Sequence, residues 1–429
     1  MAARFGLFAA PLLVLSLTCG GGGGTTSTEA PPSPIPPSDF STPLGRAKGV
    51  AQDLLSRAVT DGAGTRWSIS LDGRNSAQLP DLYEGTAGIL LFLADLYRQA
   101  PTPALRSALE RGGAWLRTHP SSYGMGLYEG NAGLGWCYLT LASALGDPAW
   151  LDAARQVGDQ VRLDPGDGVG DLISGLPGHG LFLLRLHQAT GEPRWLDAAR
   201  AKGDAILAGA VAEAGGWKWK APGLPGDYYY VGMAHGSAGA GFFLSRLSTA
   251  LGSSGNTYLE GAKGAARWLL AVQGSLGGDL DWYNRQPDRL DSFQVQWCHG
   301  APGIGLFFIE LHRSSGDPAL LELAKRCAKT AEDLTATAVG WDCRCHGYAG
   351  NADLFLKLYR VTGDTAWLDK ARGFGERVWA RRLPTALPGW IAGDGTNTNN
   401  PSFMTGSSGV GQFFLELADP DHVVPPITD

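Results

Sequence analysis

Seven copies of one short turn organise this sequence. Each copy has two glycines separated by two residues and continues into an apolar stretch, and the copies recur at intervals of 45 to 64 residues. Self-similarity of this period is the signature of a fold built from repeated supersecondary units. The first glycines of the seven turns are Gly85, Gly130, Gly175, Gly236, Gly300, Gly347 and Gly406.

A second helix signal follows most of these apolar stretches. The segment from Gly146 to Leu151 recurs at Gly191, Gly316 and Gly363: a glycine ends one helix, and an acidic residue precedes the first turn of the next. The stretches after the turns are apolar on most sides, whereas the second helices are amphipathic. The pattern predicts an all-α fold, an α/α toroid of seven inner and seven outer helices, without a substantial sheet. The outer helices are predicted near 46–59, 103–118, 147–162, 192–212, 256–273, 317–337 and 364–380.

Three long loops precede the fourth, fifth and seventh turns, at 214–234, 274–297 and 382–404. They are rich in aromatic residues and open onto the same end as the turns. Such loops either wall a cleft or fill the mouth of the inner ring, and the sequence leaves both readings open. The residues are Trp217, Trp219, Tyr228, Tyr229, Tyr230, Trp282, Tyr283 and Trp390.

The N-terminus has the pattern of a targeting segment. Arg4 precedes an apolar run over 5–17 that is too short to span a membrane and ends just before Cys19. We interpret 1–19 as a lipoprotein-type signal with Cys19 as the acylated residue; an ordinary secretory signal is the alternative. Residues 20–44 read as a flexible linker and 45–429 as the toroid domain. Either signal predicts export, with the lipid anchor as the sole membrane attachment, on a bacterial cell membrane facing the periplasm or exterior.

Composition limits the partners. The 429 residues carry a net charge of −6 without a basic block, so nucleic acid is not an expected partner. Five cysteines remain beyond Cys19, an odd number that does not suit a disulfide framework. Cys137 and Cys327 fall inside helical patterns and are predicted core residues. Oligomeric state is left open.

Two of the turns carry metal-ligand chemistry. Cys298 and Cys345 have the same offset from the first glycine in consecutive turns, and His346 directly precedes the second of these glycines. Two thiolates and one imidazole without a clear fourth ligand predict one catalytic Zn²⁺ per chain. Cys343 as a fourth ligand, and unrelated buried cysteines, are the alternatives.

Neighbouring turns add ionisable groups. His235 has the offset of His346 one turn before Cys298, and Asp171 lies four residues before Gly175. In a closed ring these residues form an arc beside the metal, so we expect His235 and Asp171 to serve in proton transfer. For His235, the alternative is a purely local role in its own turn. His299 is expected to shape its turn or to lie behind the metal ligands.

The sequence around the two cysteines resembles the lanthionine synthetase C-like family of lantibiotic cyclases and their eukaryotic relatives. The segments that carry the resemblance are Trp297-Cys298-His299-Gly300-Ala301-Pro302-Gly303 and Cys345-His346-Gly347. The likeness spans about 45–417 and is nearer to the eukaryotic-type branch. It implies zinc-dependent activation of a thiol, which adds to dehydroalanine or dehydrobutyrine to form a thioether in a peptide or with glutathione. It also implies that residues at the positions of Asp171 and His235 assist the proton transfers.

One position departs from the lantibiotic cyclases, which carry an arginine where this chain has Gln294. A neutral amide does not supply the fixed positive charge of a guanidinium, which weakens the expectation of ring closure. Two other functions stay open: a non-catalytic zinc-containing surface lipoprotein that binds peptides or glutathione, and a carbohydrate-active enzyme. The latter would need paired carboxylates, for which Glu84 and Glu129 are the candidates.

Overall fold

A computed structural model describes residues 39–166, 168–220, 228–274, 277–287 and 294–421. Within these ranges seven inner helices begin directly after the glycine turns: α2 (Thr86–Gln99), α4 (Asn131–Leu145), α6 (Leu176–Thr190), α8 (Ser237–Leu251), α10 (Ala301–Ser315), α12 (Tyr348–Thr362) and α14 (Ser407–Ala418). The outer helices are α1 (Pro43–Ser56), α3 (Pro103–Thr118), α5 (Pro148–Leu163), α7 (Pro193–Ala208), α9 (Asn256–Ala271), α11 (Pro318–Ala338) and α13 (Thr365–Ala380).

The helices form two concentric rings. Each inner helix packs against the next inner helix along the chain, and α14 returns to pack against α2, which closes the inner ring. Six outer helices pack on the inner helix that precedes them, and α1 packs on α14. The predicted α/α toroid is therefore confirmed.

Strands are few and short. In the described part of the chain, the antiparallel pairs are β1 (Val59–Asp61) with β2 (Gly64–Arg66), β3 (Ile69–Ser70) with β4 (Ser76–Ala77), β5 (Val211–Glu213) with β6 (Gly216–Lys218), and β7 (Tyr229–Tyr230) with β8 (Arg285–Gln286). Helix α7 ends at Ala208, earlier than predicted, because Val211 already pairs with Lys218 in a hairpin. No helix within the described ranges is long and apolar enough to cross a membrane. Cys19, the predicted signal and residues 20–38 of the predicted linker lie outside the described residues.

The helix caps follow the sequence signals with one exception. Asp147 accepts a hydrogen bond from the Ala149 amide at 2.9 Å, and Asp317 and Asp364 cap α11 and α13 in the same way. Glu192 does not cap α7. Its carboxylate instead pairs with Arg155 and Arg194.

The glycine turns are joined by a closed circle of backbone hydrogen bonds. The residue two before the first glycine of each turn takes part, and in the third turn Leu172 donates in place of Ile173. The bonds, from N to O, are Tyr83–Tyr128 (2.8 Å), Tyr128–Ile173 (2.9 Å), Leu172–Ala234 (2.8 Å), Ala234–Cys298 (3.2 Å), Cys298–Cys345 (3.1 Å), Cys345–Met404 (2.8 Å) and Met404–Tyr83 (2.9 Å). We call this circle and its turns the glycine ring.

The position of the second glycine in each turn requires glycine because another segment of the backbone approaches it closely. A Cβ there would come within 3.0 Å of the carbonyl oxygen six residues earlier, as for Gly303 against Trp297 and Gly350 against Arg344. The same contact recurs in all seven turns. Any side chain at this position would push the turn away from the start of its inner helix.

Three of the four loop tryptophans fill the structure instead of walling a cleft. Trp219, Trp282 and Trp390 are fully buried. Each donates its indole N–H to a carbonyl near the end of the preceding outer helix: Ile206, Leu269 and Val378, respectively. These side chains anchor the long loops against the outer ring.

Candidate metal and proton-transfer site

The glycine ring brings the three predicted metal ligands together. The ligand atoms of Cys298, Cys345 and His346 all lie within 4.8 Å of one another. The Cys298 amide donates to the Cys345 carbonyl at 3.1 Å, so the backbone itself fixes the spacing of the two thiols. Both cysteines are buried and His346 is half-buried. Zinc with two sulfur ligands and one nitrogen ligand at 2.0–2.3 Å fits a cluster of this size.

The orientation of His346 also suits a metal ligand. Its Nε2 contacts the carbonyl oxygen of Gly393, and because a carbonyl only accepts, Nε2 carries the proton. In the neutral ring this leaves Nδ1 as the nitrogen with a lone pair, the arrangement usual for a metal-binding histidine. A Cβ at position 393 would lie within 3.0 Å of both His346 and the Cys343 sulfur, so only glycine allows this contact.

The chemistry of the donor set favours a cation. Burial, with the hydrogen bond and charge of Cys298, raises the pKa of the Cys345 thiol well above its usual value. Two adjacent buried thiolates therefore need a positive partner. Burial lowers the pKa of His346, but the sulfurs of Cys343 and Cys345 outweigh it and raise that pKa. Cys343 borders His346 but is outside the set of three ligands.

Two contacts to the thiols were not anticipated from the sequence. The Tyr83 hydroxyl donates to the Cys345 sulfur at 2.8 Å, and the Cys298 thiol lies 3.4 Å from the Gln296 side-chain oxygen. Tyr83 has the same offset from its glycine as both cysteines, two turns onward from Cys345. That shared offset was the available signal, because all residues at this position meet on one circle.

His235 and Asp171 form a hydrogen-bonded pair. Nδ1 of His235 lies 2.7 Å from Oδ2 of Asp171, and the other carboxylate oxygen accepts from the Ser174 amide at 2.8 Å. Burial lowers the pKa of His235, but the charge and hydrogen bond of Asp171 and the charge of Glu129 outweigh it, so the pKa rises above 6.5. Since Nδ1 donates to the carboxylate, Nε2 is free to accept a proton in neutral His235.

His299 directly follows Cys298 in the fifth turn and lies near both His235 and His346. Its ring stacks on His235 at a centroid distance of 5.7 Å and contacts Tyr230 at 5.0 Å. Burial, with His235 and His346 nearby, lowers its pKa to about 3, so the ring is neutral. Among the described residues its buried Nδ1 has no hydrogen-bond partner.

Gln294 lies directly before the fifth turn. A Cβ at Gly300 would fall within 3.0 Å of the Gln294 carbonyl, which fixes this backbone against the turn. Its side-chain Oε1 is buried without a hydrogen-bond partner in the described part of the chain.

The arc of the glycine ring formed by the first two turns is acidic. Burial raises the pKa of Glu84 to about 7, with Asp81 and Asp394 adding to the shift. Burial likewise raises the pKa of Asp81 to about 6. Glu129 accepts from the Ser174 hydroxyl at 3.1 Å, which connects this arc to the His235–Asp171 pair. Both carboxylates of the carbohydrate alternative are thus on the ring.

Comparison with known protein families decides the relationship. The family described as "Lanthionine synthetase C-like protein" matches residues 76–427. The chain belongs to this family. The resemblance at the two cysteine turns is confirmed over residues 76–427, which contain all seven turns.

Solved structures agree on the fold. Nisin cyclase, itself named for cyclisation of nisin, is similar with a TM-score of 0.63 and 18% identity, covering 81% of this chain and 90% of that chain. An alpha-1,6-mannanase variant from Salegentibacter sp. HEL1_6, solved with alpha-1,6-mannotriose, is similar with a TM-score of 0.50 and 12% identity, covering 88% and 98%. No curated protein matches the sequence significantly. At these sequence identities, the similarity to both structures shows the shared α/α toroid alone.

Proposed function

We propose that this lanthionine synthetase C-like protein is a zinc-dependent enzyme that adds a thiol to a dehydroalanine or dehydrobutyrine residue of a peptide or protein. The observation that carries the proposal is the convergence of Cys298, Cys345 and His346 on one point of the glycine ring, beside the His235–Asp171 pair. Family membership and the nisin cyclase fold support it.

The two thiols and Nδ1 of His346 would hold the metal. Zinc, when bound, supplies a Lewis acid that lowers the pKa of a substrate thiol at the remaining coordination position. Gly393 and Tyr83 keep the ligands oriented, since one accepts from His346 and the other donates to Cys345.

The proton inventory of the reaction matches the His235–Asp171 pair. Addition forms a bond between sulfur and the β-carbon, moves the double-bond electrons toward the carbonyl, and requires one proton at the α-carbon. The thiol loses one proton and the α-carbon gains one. A single group that accepts the first proton and donates the second is therefore enough for the reaction. Nε2 of His235 is suited to both steps, because Asp171 fixes the ring and stabilises its protonated form.

The partner in this proposal is a thiol-containing peptide or a glutathione-like thiol. Since Gln294 is neutral, its amide can donate a hydrogen bond to the enolate oxygen but adds no charge. The export signal remains part of the proposal: the dehydrated partner would be an exported peptide or protein, met by a lipid-anchored enzyme on the cell surface.

The test uses the purified full chain loaded with zinc, a dehydroalanine peptide and glutathione as the thiol, with adduct formation followed by mass spectrometry. We expect adduct that a chelator abolishes and that His235→Ala slows by about 10²–10⁴-fold. His119→Ala, which removes an exposed histidine outside the glycine ring, should leave the rate unchanged.

Metal analysis separates the alternatives. Wild-type protein should retain about one zinc per chain, whereas Cys298→Ala should lose it and Cys327→Ala, a buried cysteine of α11 outside the cluster, should keep it. Zinc and tight thiol binding without turnover would instead support the non-catalytic surface lipoprotein. Glycan hydrolysis by zinc-stripped protein, lost in Glu84→Gln, would support the carbohydrate-active enzyme.

A further inference from the structure

A second polar ring lies at the far end of the inner helices. Ten residues after the first glycine of each turn, every inner helix carries a polar or charged residue, and ten residues of α-helix rise about 15 Å. The set therefore lies well away from the glycine ring, and we call it the distal ring. Its members are Asp95, Thr140, Arg185, Arg246, Glu310, Lys357 and Glu416.

Part of the distal ring is closed by ion pairs. Arg98 lies 2.5 Å from Asp95, and Arg344 pairs with both Glu416 (3.0 Å) and Asp353 (2.7 Å). Buried charges of this kind are tolerated because each one meets an opposite charge. In this part each of these charged groups has at least one partner of opposite charge.

The sector around Glu310 differs. Arg246 Nε and Arg313 Nη1 lie 3.1 Å and 3.5 Å from the same oxygen, Oε2 of Glu310, so two guanidinium groups share one carboxylate oxygen. Arg246 Nη2 is buried and has no hydrogen-bond partner among the described residues. A buried guanidinium donor without an acceptor is costly, and an anion would satisfy it.

A cavity of about 420 Å³ opens at this sector, lined by α6, α8 and α10 and by Trp136 of α4. Its wall includes the guanidinium groups of Arg185, Arg246 and Arg313 and the carboxylate of Glu310. Burial lowers the pKa of Arg185 to about 10, although Asp95 nearby partly offsets this. Arg246 and Arg313 share the one carboxylate of Glu310, so this sector keeps an excess of positive charge in a chain whose net charge is −6.

The remaining wall is apolar. Trp136, Leu181 and Leu184 line one side, and Arg185 lies over the Trp136 ring at 4.2 Å. The cavity is larger than an inorganic anion requires, so the apolar side offers contact area to an organic group.

We propose that the distal cavity binds a small organic anion, with its phosphate or carboxylate group between Arg246 and Arg313 and its apolar part against Trp136 and Leu184. The site is separate from the metal cluster and does not depend on the proposed thiol addition. Charge complementarity selects the anion, and the apolar wall selects an organic over an inorganic one.

Isothermal titration of the full zinc-loaded chain, at pH 8 and constant ionic strength, tests this with phenyl phosphate, benzoate, inorganic phosphate and benzyl alcohol. We expect saturable binding of phenyl phosphate or benzoate, weaker binding of inorganic phosphate, and none of benzyl alcohol. The stronger of the first two identifies the anionic group. Arg313→Gln, a half-exposed position, should weaken that binding at least about tenfold because one charge-assisted contact is lost.

Controls exclude general charge effects and the metal. Arg372→Gln removes an exposed guanidinium of α13 and should leave binding intact, and so should Cys298→Ala. Arg246→Gln should weaken binding as Arg313→Gln does. Absence of binding by all four probes would overturn the proposal. So would equal binding in wild type, Arg313→Gln and Arg246→Gln, or a loss confined to Cys298→Ala, which would place the anion at the metal.

Discussion

Cys345 is the residue on which most contacts of the metal cluster converge. Its sulfur accepts from the Tyr83 hydroxyl, its carbonyl accepts from the Cys298 amide, and its own amide donates to Met404. One residue thereby links four turns of the glycine ring. Its side chain is buried, so small changes in these neighbours act directly on the metal ligands.

Tyr83→Phe isolates the hydrogen bond to the Cys345 sulfur. Burial raises the pKa of Tyr83 well above its ordinary value, so the hydroxyl remains a donor at all working pH values. Its removal should leave the fold unchanged and lower zinc affinity about 10–100-fold, as is usual for groups that support a ligand. Competition with a chromophoric chelator measures this. Unchanged affinity in Tyr83→Phe would show that the hydroxyl only fills space.

Asp171→Asn tests how His235 is tuned. Asp171 stabilises protonated His235 and raises its pKa, so loss of the carboxylate charge should lower that pKa. If thiol addition requires neutral His235, activity rises with pH through this pKa, and the rising limb should move to lower pH in the variant. The pH–rate profile of zinc-loaded protein reports the shift, with His119→Ala as the unshifted control. If the rising limb of the pH–rate profile stays at the same pH in Asp171→Asn, the limb reports the titration of a group other than His235.

At the scale of the element, the turn and the inner helix after it act as one unit. The first glycine precedes the helix, and the second lies in its first turn against the carbonyl six residues earlier. The candidate metal ligands Cys298, Cys345 and His346 lie just ahead of the first glycine of their turns. The positions of these three residues therefore depend on how closely the backbone packs against the second glycine of the turn.

Gly303→Ala should open the fifth turn. The added Cβ would lie within 3.0 Å of the Trp297 carbonyl and of the Met233 side chain, and neither neighbour is free to move. We expect a loss of more than about 3 kcal/mol in unfolding free energy, with weakened zinc binding. Gly373→Ala, exposed within α13 with nothing near its Cβ, should instead stabilise by about 0.5–1 kcal/mol. Urea denaturation compares the two, and equal effects would contradict this account of the turn.

At the scale of the molecule, closure joins the two ends of the described chain. Helix α1 packs on α14, and the Met404 amide donates to Tyr83 across the junction between the last turn and the first. Arg46 of α1 secures this junction: it lies over the rings of Trp379 and Phe414 and pairs with Glu376. The metal cluster lies close to the same junction through Cys345.

Arg46→Ala should therefore weaken the closed ring. Arg46 is 6% exposed and makes two hydrogen bonds to Glu376, at 2.7 and 3.0 Å, but Glu376 is mostly exposed and would return to water. We expect a loss of about 2 kcal/mol, less than for a fully buried pair. Arg106→Ala, in the exposed pair with Glu110, should change stability by less than about 0.5 kcal/mol. Chemical denaturation of both variants measures the difference; equal losses would remove any special role for the junction.

The sequence alone predicted the toroid, the helix order and the three residues of the candidate metal cluster. The reason is repetition: seven turns in one register must occupy equivalent places, so residues at the same offset become neighbours when the ring closes. Cys298 with Cys345, and His235 near Asp171, followed from this register. Glu192 shows its limit, because a capping signal gives way when Arg155 and Arg194 offer stronger charge pairing.

Only the tertiary structure decided what meets across the ring and along the inner helices. The hydroxyl of Tyr83 and the carbonyl of Gly393 reach the ligands from distant parts of the chain. The long-loop tryptophans proved to be anchors, because burial and one indole hydrogen bond depend on which helix end each loop passes. The shared carboxylate of Glu310 likewise depends on side-chain directions in three dimensions. The register of the repeats specifies which residues are neighbours at the same level of the inner ring. Contacts between different levels, and between the inner and outer helices, depend on how the side chains pack.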